Sequence, residues 1–305
     1  MKLTMLGTGN ALVTECYNTC FLIEDNGQYL LVDGGGGNTL LSRLKRAGAD
    51  WKNVRNIIVT HKHIDHILGI VWMMRMILQY MNQGDYEGDA VIYAHAELIE
   101  LLTALAGQLL KKKEAALIGK RLHMVATADG SSYDIIGHKV TFFDIHSTKA
   151  KQYGFTMELE NEARAEFQEA GAGSEIHAEL HEACADSKIQ PEEMKISSFS
   201  GERLTCCGDE PYNELEEKYA RGSKWLMLEA FCLYGQADIF HPYEKHHSTV
   251  KEASELAETL DVKNLILYHT EDRNIKNRKE LYTKEGKAYY HGNLCVPEDM
   301  ETFEL

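Results

Sequence analysis

The chain has 305 residues, 44% of them apolar and 26% charged, which suits a globular protein with one large core or two modest ones. Its formal net charge of −15 argues against an extensive polyanion-binding surface, because lysine and arginine contacts to phosphate dominate such affinity. Seven cysteines, an odd number without a C-x-x-C pair, point away from a disulfide framework and from a zinc ribbon.

The first third alternates strand and turn signals. "KLTMLGTG" and "NTCFLIED" are apolar, β-leaning runs, and the Asn26-Gly27 pair that follows is a hairpin-turn signal leading into "QYLLVDGGGG". "GNTLLSRLKRAG" has helical spacing of Leu40, Leu41 and Leu44 and ends at glycine. "NVRNIIVT" predicts a strand, "HILGIVWMMRMILQYMNQG" a helix, "AVIYAH" a strand and "AELIELLTALAGQLLKKK" a helix. The most apolar segment, residues 67–81, is interrupted by Arg75 and is too short to span a bilayer. With no basic, apolar leader at the N-terminus, these features predict a cytoplasmic protein without a membrane partner.

The second half repeats the grammar. "HKVTFFDIHST", "YGFTMELE", "RLTCCGDE", "KWLMLEAF" and "VKNLILYHT" read as strands, with Cys206 and Cys207 as core residues. "NELEEKYARG" and "STVKEASELAETL" read as helices, the latter started by Ser248 or Thr249. Two successive runs of strands with interspersed helices predict an α/β protein with two packed sheets and helices outside, a four-layer αββα sandwich. No repeat and no linker interrupts it, so residues 1–305 are expected to form a single domain. One interval departs from the pattern. Residues 158–193 hold eleven acidic and two basic residues around "GAGS", the composition of a solvated insertion.

The chemistry concentrates in "IIVTHKHIDHI". A β-branched strand ends so that His61 and His63 emerge at its C-terminal tip, where sites of α/β sheets collect. Their i, i+2 spacing lets both rings face one side of an extended chain. Asp65 and His66 then stand at the start of the next helix. Imidazole and carboxylate donors suit zinc, manganese or iron. A solvated His-rich loop is the ordinary alternative, but four ligand-type residues in six positions at a strand tip favour a metal centre. His146, Asp209 and His269 each follow a further apolar strand and supply donors for a second ion. His95 also ends a strand, but no acidic partner motif follows it, and it is left out.

H-x-H-x-D-H after a strand, with a separate His, Asp and His at later strand ends, resembles the metallo-β-lactamase superfamily over nearly the whole chain, from "LGTGNA" through Asp33 to His269. The resemblance implies two divalent ions, most simply zinc, with manganese or iron as alternatives. One would take His61, His63 and His146, the other Asp65, His66 and His269. Asp209 would bridge them, and Asp33 would orient the ligands from behind.

Several further motifs are similar to the ribonuclease Z branch, the tRNA 3′-processing endonucleases. They are "HSTVKEA" before the last metal histidine, L-x-E-A in "MLEAF", the opening "LGTGNA" and "YGF" after His146. That resemblance implies catalytic roles for Asp65, Glu229 and His247. Asp65 would orient or deprotonate the nucleophilic water held between the metals, and His247, supported by Glu229, would protonate the leaving alkoxide. Where that branch carries a basic, glycine- and proline-marked arm for tRNA, this chain has the acidic 158–193 insertion, which would repel a tRNA backbone. The expectation is therefore a phosphodiesterase acting on small or cyclic phosphodiesters. A true tRNA 3′-endoribonuclease, disfavoured by acidity, is an alternative, as is a lactonase or thioesterase on the same fold. A metal-bound sensor without turnover ranks lower, because the ligand set is complete. The Met-rich helix "WMMRMILQYM" reads as core by its spacing, with a homodimer contact as the alternative.

Overall fold

The computed structural model describes residues 1–159 and 202–305. The acidic insertion expected over residues 158–193 lies, but for its first two residues, outside the described residues. Two seven-stranded sheets stack face to face. The first has the order β14-β1-β2-β3-β4-β5-β6, from β1 (Lys2–Gly7), β2 (Cys20–Asp25), β3 (Gln28–Val32), β4 (Val54–Ile58), β5 (Ala90–His95), β6 (Leu122–Thr127) and β14 (Thr302–Glu304). The second has the order β13-β12-β11-β10-β9-β8-β7. Its strands are β7 (Ser132–Ile135), β8 (His138–Asp144), β9 (Tyr153–Glu158), β10 (Arg203–Cys206), β11 (Trp225–Glu229), β12 (Asn264–Tyr268) and β13 (Asn293–Cys295).

The period of two along each strand sorts side chains between cores. Leu3 and Met5 of β1, Phe21 and Ile23 of β2, and Leu30 and Val32 of β3 meet Phe142, Phe155, Met227 and Ile266 of the opposite sheet. The intervening residues, among them Leu6, Leu22, Leu31 and Ile57, pack on the helices α1 (Thr39–Arg46), α2 (Ile64–Gln83) and α3 (Ala96–Leu109). On the far side Leu226, Leu228, Leu265 and Leu267 pack with Val250, Ala253 and Ala257 of the helix Val250–Thr259 and Tyr282 of the helix Arg278–Gly286. The layers are thus helix, sheet, sheet, helix, the metallo-β-lactamase sandwich. Each large aliphatic side chain removed from water in these cores contributes about 1.5–3 kcal/mol.

Local chemistry sets the boundaries. Asn26 (φ 49) and Gly27 (φ 77) take the left-handed conformations of a two-residue hairpin turn, joining β2 to β3 as the sequence predicts. Gly84 (φ 85) ends α2 in a left-handed cap that donates to the Met81 and Tyr80 carbonyls. Gly34 and Gly69 allow α2 to touch the loop after β3, for a Cβ at either would lie within 3 Å of the other's backbone. That contact seats the N-terminus of α2 against Asp33. The helix expected through the lysine run instead stops at Leu109, where Leu110 turns extended, and a separate turn of helix covers Lys112–Ala115. Among the described residues no helix is long and apolar enough to cross a membrane. Of the cysteines, Cys16, Cys20, Cys206, Cys207, Cys232 and Cys295 are free, and Cys206 and Cys207 are buried.

Candidate metal centre

Strand β4 passes through Val59 and Thr60 to His61, which is fully buried, and the chain stays extended to His63, the N-cap of α2. The His61 and His63 rings meet edge to face with centroids 4.5 Å apart. The first turn of α2 then presents Asp65 and His66, both buried. Tips of two strands of the other sheet close the cleft: Asp209 follows β10 through Gly208 (φ 78), and His269 (φ 59) follows β12.

Asp209 is central. Its Oδ2 lies 3.5 Å from His61 Nε2 and 3.3 Å from the Nε2 atoms of both His66 and His269. Asp65 Oδ2 lies 3.4 Å from His66 Nε2 and 3.6 Å from His269 Nε2. Two triads therefore have donor atoms close enough to share an ion: His61, His63 and Asp209, and Asp65, His66 and His269. His66 Nε2 and both ring nitrogens of His269 are buried without a hydrogen-bond partner. Buried polar atoms left unmatched at the focus of three carboxylate and imidazole groups fit divalent cations.

Asp33 holds this arrangement from behind. Its Oδ2 accepts from Thr60 Oγ1 and contacts His66 Nδ1, each at 2.8 Å, and its Oδ1 accepts from the Thr60 amide at 2.9 Å. A carboxylate on Nδ1 fixes the His66 tautomer with the Nε2 lone pair toward the cleft. Thr60 Oγ1 also lies 3.0 Å from His61 Nδ1, so one threonine links Asp33 to both ligand pairs. Sequence reading missed Thr60, since a threonine at a strand end looks ordinary.

Charge and burial compete here. Burial pushes the His61 pKa well below its usual value, with Asp209 opposing, so the ring is neutral as a ligand must be. Burial opposes ionisation of Asp65 and Asp209, but the surrounding histidines outweigh it and hold both carboxyls well below the usual range. Burial likewise works against protonation of His66, and Asp33 and Asp65 overcome it and raise its pKa, so a cation binding there would displace the Nε2 proton.

His146 departs from expectation. Instead of joining His61 and His63, it is exposed, in a left-handed conformation (φ 55), and lines a separate cleft with Asp129, Asp144 and Arg203. Its loop is tied outward: the His146 amide donates to Asp144 Oδ1 at 2.7 Å, and Ser147 Oγ donates to Glu210 Oε1 at 2.7 Å. Thr148 Oγ1 lies 3.3 Å from His246 Nδ1. His95 is buried beside Tyr153, their rings 5.7 Å apart, and belongs to neither triad.

The pair Glu229 and His247 stands at the edge of the cleft. Glu229 ends β11, and its Oε1 accepts from the Ser248 amide. Its Oε2 faces His247 Nδ1 across 3.6 Å, an ion-pair distance, and neither atom has a hydrogen-bond partner. The His247 ring stacks on Phe231 (4.8 Å, 7°) and lies 5.0 Å from the His269 ring. With Nδ1 toward Glu229, the opposite nitrogen is the one left to carry a proton.

A family model described as "Anti-Pycsar protein Apyc1" matches residues 1–185, more than half of the chain. The chain belongs to that family. The match spans Asp33, His61, His63, Asp65, His66 and His146 but ends before Asp209, Glu229, His247 and His269. The remaining positions fall within full-length relatives named Ribonuclease Z. The protein from Methanothermobacter thermautotrophicus is 28% identical over 313 residues, covering 100% of this chain and 97% of the relative. That from Archaeoglobus fulgidus is 24% identical over 317 residues, with the same coverage. Among solved structures, the Bacillus subtilis metallo-β-lactamase fold protein YhfI superposes with a TM-score of 0.68 at 15% identity, covering 99% of this chain and 98% of that one. Human tRNase Z, short form, gives 0.67 at 16%, covering 100% and 99%. The family member is therefore a metal-dependent hydrolase, ribonuclease Z-like, of the metallo-β-lactamase fold.

Proposed function

We propose that the protein is a dinuclear-metal phosphodiesterase whose substrates are small or cyclic phosphodiesters. The observation that carries this is the Glu229–His247 pair, a positioned proton donor 5.0 Å, ring to ring, from the metal-facing His269. A phosphodiester with an alkoxide leaving group needs such a donor, whereas a thioester, whose thiolate can leave unprotonated, does not.

His61, His63 and Asp209 would hold one ion, and Asp65, His66 and His269 the other, with Asp209 Oδ2 between them. Zinc suits the mixed imidazole and carboxylate donors, and His146 would have to turn in from its exposed loop to add a fourth donor to the first site. When bound, the two ions would neutralise phosphate oxygens and furnish a nucleophile at neutral pH. Asp65, held ionised among the histidines, would orient water for attack. His247 would pass its proton to the oxygen that leaves as the P–O bond breaks, and Glu229 would stabilise the imidazolium before that transfer. Donation of this kind contributes about 10²–10⁴-fold. Phe231, stacked on the imidazole, keeps the ring in plane and excludes water from one face.

Removal of a tRNA 3′ trailer is the second reading, favoured by the relatives named Ribonuclease Z over the full length of the chain. The net charge of −15 and the acidic 158–193 interval weigh against gripping a polyanion. The test is turnover of a 3′,5′-cyclic nucleotide, a pre-tRNA and a thiolactone by zinc- or manganese-loaded protein at 50 and 200 mM salt. Hydrolysis of the cyclic phosphodiester at both salts, with pre-tRNA cleavage weak and collapsing at the higher salt, is expected. Efficient, salt-tolerant trailer removal would establish the second reading instead, and turnover of the thiolactone alone would overturn both.

A further inference from the structure

Where the inter-sheet core meets the metal centre, a cavity of about 10 Å³ remains between Asp33, Thr60, His66, Gln152, Gly208 and Asp209. It has room for one water and nothing larger. Buried cavities stay dry when their walls are apolar, but two aspartates, a histidine, a glutamine and two threonines edge this one.

Gln152 is the lining residue that neither triad explains. It immediately precedes β9, and its carbonyl accepts from the Ile145 amide at 3.1 Å, which closes the loop carrying His146. The residue is 1% exposed, yet its Nε2 has no hydrogen-bond partner among the described residues. The carboxamide presses on Gly208, where a Cβ would lie 2.5 Å from Nε2. A buried donor without an acceptor is unfavourable, and native positions seldom keep one unless water answers it. The protein acceptors nearby are mostly committed. The Gly208 carbonyl accepts from the Tyr268 hydroxyl, and the Asp33 oxygens are engaged by Thr60 and His66. Asp209 turns Oδ2 toward the histidines, which leaves Oδ1 for a partner on the cavity side.

We infer that one ordered water fills this cavity, accepting from Gln152 Nε2 and donating to the Asp209 carboxylate, and that Gln152 is thereby a positioning residue for the metal-bridging aspartate. The inference rests on the reading above in which Asp209 lies between two ions, and it needs no particular substrate. The water's second hydrogen can go to Thr19 Oγ1, which also lines the cavity and gives its own hydrogen to the Gly9 carbonyl at 3.0 Å. Donation to the outer oxygen fixes the plane of the carboxylate and so holds Oδ2 between the two triads. Without it the carboxylate can turn about its Cβ–Cγ bond, and both ions lose a fixed shared donor. Outer-sphere support of this kind corresponds to about 10–100-fold in metal affinity.

The experiment pairs the wild type with Gln152→Leu, which keeps most of the volume and removes the donor. Zinc affinity is measured by competition with a chelator, Tm on the metal-free protein, and the cavity by high-resolution crystal structures of the zinc-loaded proteins. The wild type should show a water within hydrogen-bond distance of Gln152 Nε2 and the Asp209 carboxylate, and Gln152→Leu should lack it. The variant should bind zinc about 10–100-fold more weakly without a fall in Tm. A merely structural glutamine would instead lower Tm and leave zinc affinity in place. A dry cavity in the wild type, which can be seen even if the variant does not fold, or unchanged affinity in Gln152→Leu, would overturn the inference. Wild-type zinc affinity in Asp209→Ala would instead remove the bridging reading itself, so the two failures are distinguishable.

Discussion

The Tyr268 hydroxyl donates to the Gly208 carbonyl, and each of these residues immediately precedes a residue at the centre of the site. Tyr268 leads into His269 at the tip of β12, and Gly208 leads into Asp209 after β10. Both are buried, and this bond ties together two tips that β11 separates in the sheet. Tyr268→Phe should therefore loosen the spacing between Asp209 and His269. Competition titration with a chelator should show metal affinity about 10–100-fold weaker, the range for lost outer-sphere support. Leaving the Gly208 carbonyl unpaired should also cost the metal-free protein about 1–3 kcal/mol. Unchanged affinity with lowered stability would reduce Tyr268 to a core residue.

His146 provides a test of the ion count. If it turns in to complete the site of His61, His63 and Asp209, His146→Ala should bring the bound metal from about two ions toward one. Plasma emission spectrometry on desalted protein measures this. Two ions retained at wild-type affinity would leave His146 as the surface residue that its exposed position makes it.

The pH profile should report on Glu229. Burial works against protonation of His247, and the Glu229 carboxylate facing it at 3.6 Å outweighs burial, so the imidazole's pKa is raised. A general acid is competent below its pKa and is lost as pH rises through it. Glu229→Gln removes the stabilising charge, so the alkaline limb of the kcat profile should move to lower pH. A limb that stays in place would assign it to another group.

Glu216 makes a prediction about stability alone. It is buried, its Oε2 lacks a partner, and burial pushes its carboxyl up to about 8 from an ordinary 4.5. The folded state thus holds a proton that the unfolded state releases. Stability from this group is fully present below pH 4.5 and falls as pH rises toward 8, by at most about 1.4 kcal/mol per pH unit. Glu216→Gln should raise Tm at pH 8 and leave it nearly unchanged at pH 4.5, as scanning calorimetry would show. Equal shifts at both pH values would mean that the carboxyl does not titrate in that range.

Where local rules act alone, the sequence is a sound guide. The Asn26-Gly27 turn, the strand ending before His61 and the Thr249 cap of the helix Val250–Thr259 all follow from short-range chemistry. Elements defined by distant partners were not legible. Strand β14 has three residues and exists because Lys2 pairs with Glu304 across the whole chain, and β7 has only four residues. The helix read over "NELEEKYARG" is divided into a tight turn at Glu214–Glu216, started by the Asn213 cap, and a short helix at Glu217–Ala220.

The site shows the same division. The spacing of His61, His63, Asp65 and His66 announces a metal centre because strand tip and helix start fix their directions. The links through Thr60 and Tyr268 are tertiary, and nothing in their neighbours marks them. The outward position of His146 depends on bonds from its loop to Glu210 and His246, far away in sequence.

The central claim is that His247 protonates an alkoxide leaving a metal-held phosphodiester, and one comparison addresses it most directly. Turnover by His247→Ala is measured on a 3′,5′-cyclic nucleotide, a poor leaving group, and on bis(p-nitrophenyl) phosphate, a good one, at equal metal content. The account predicts a loss of about 10²–10⁴-fold on the first and a much smaller loss on the second. Equal losses on both substrates, or full activity on the cyclic nucleotide, would contradict it.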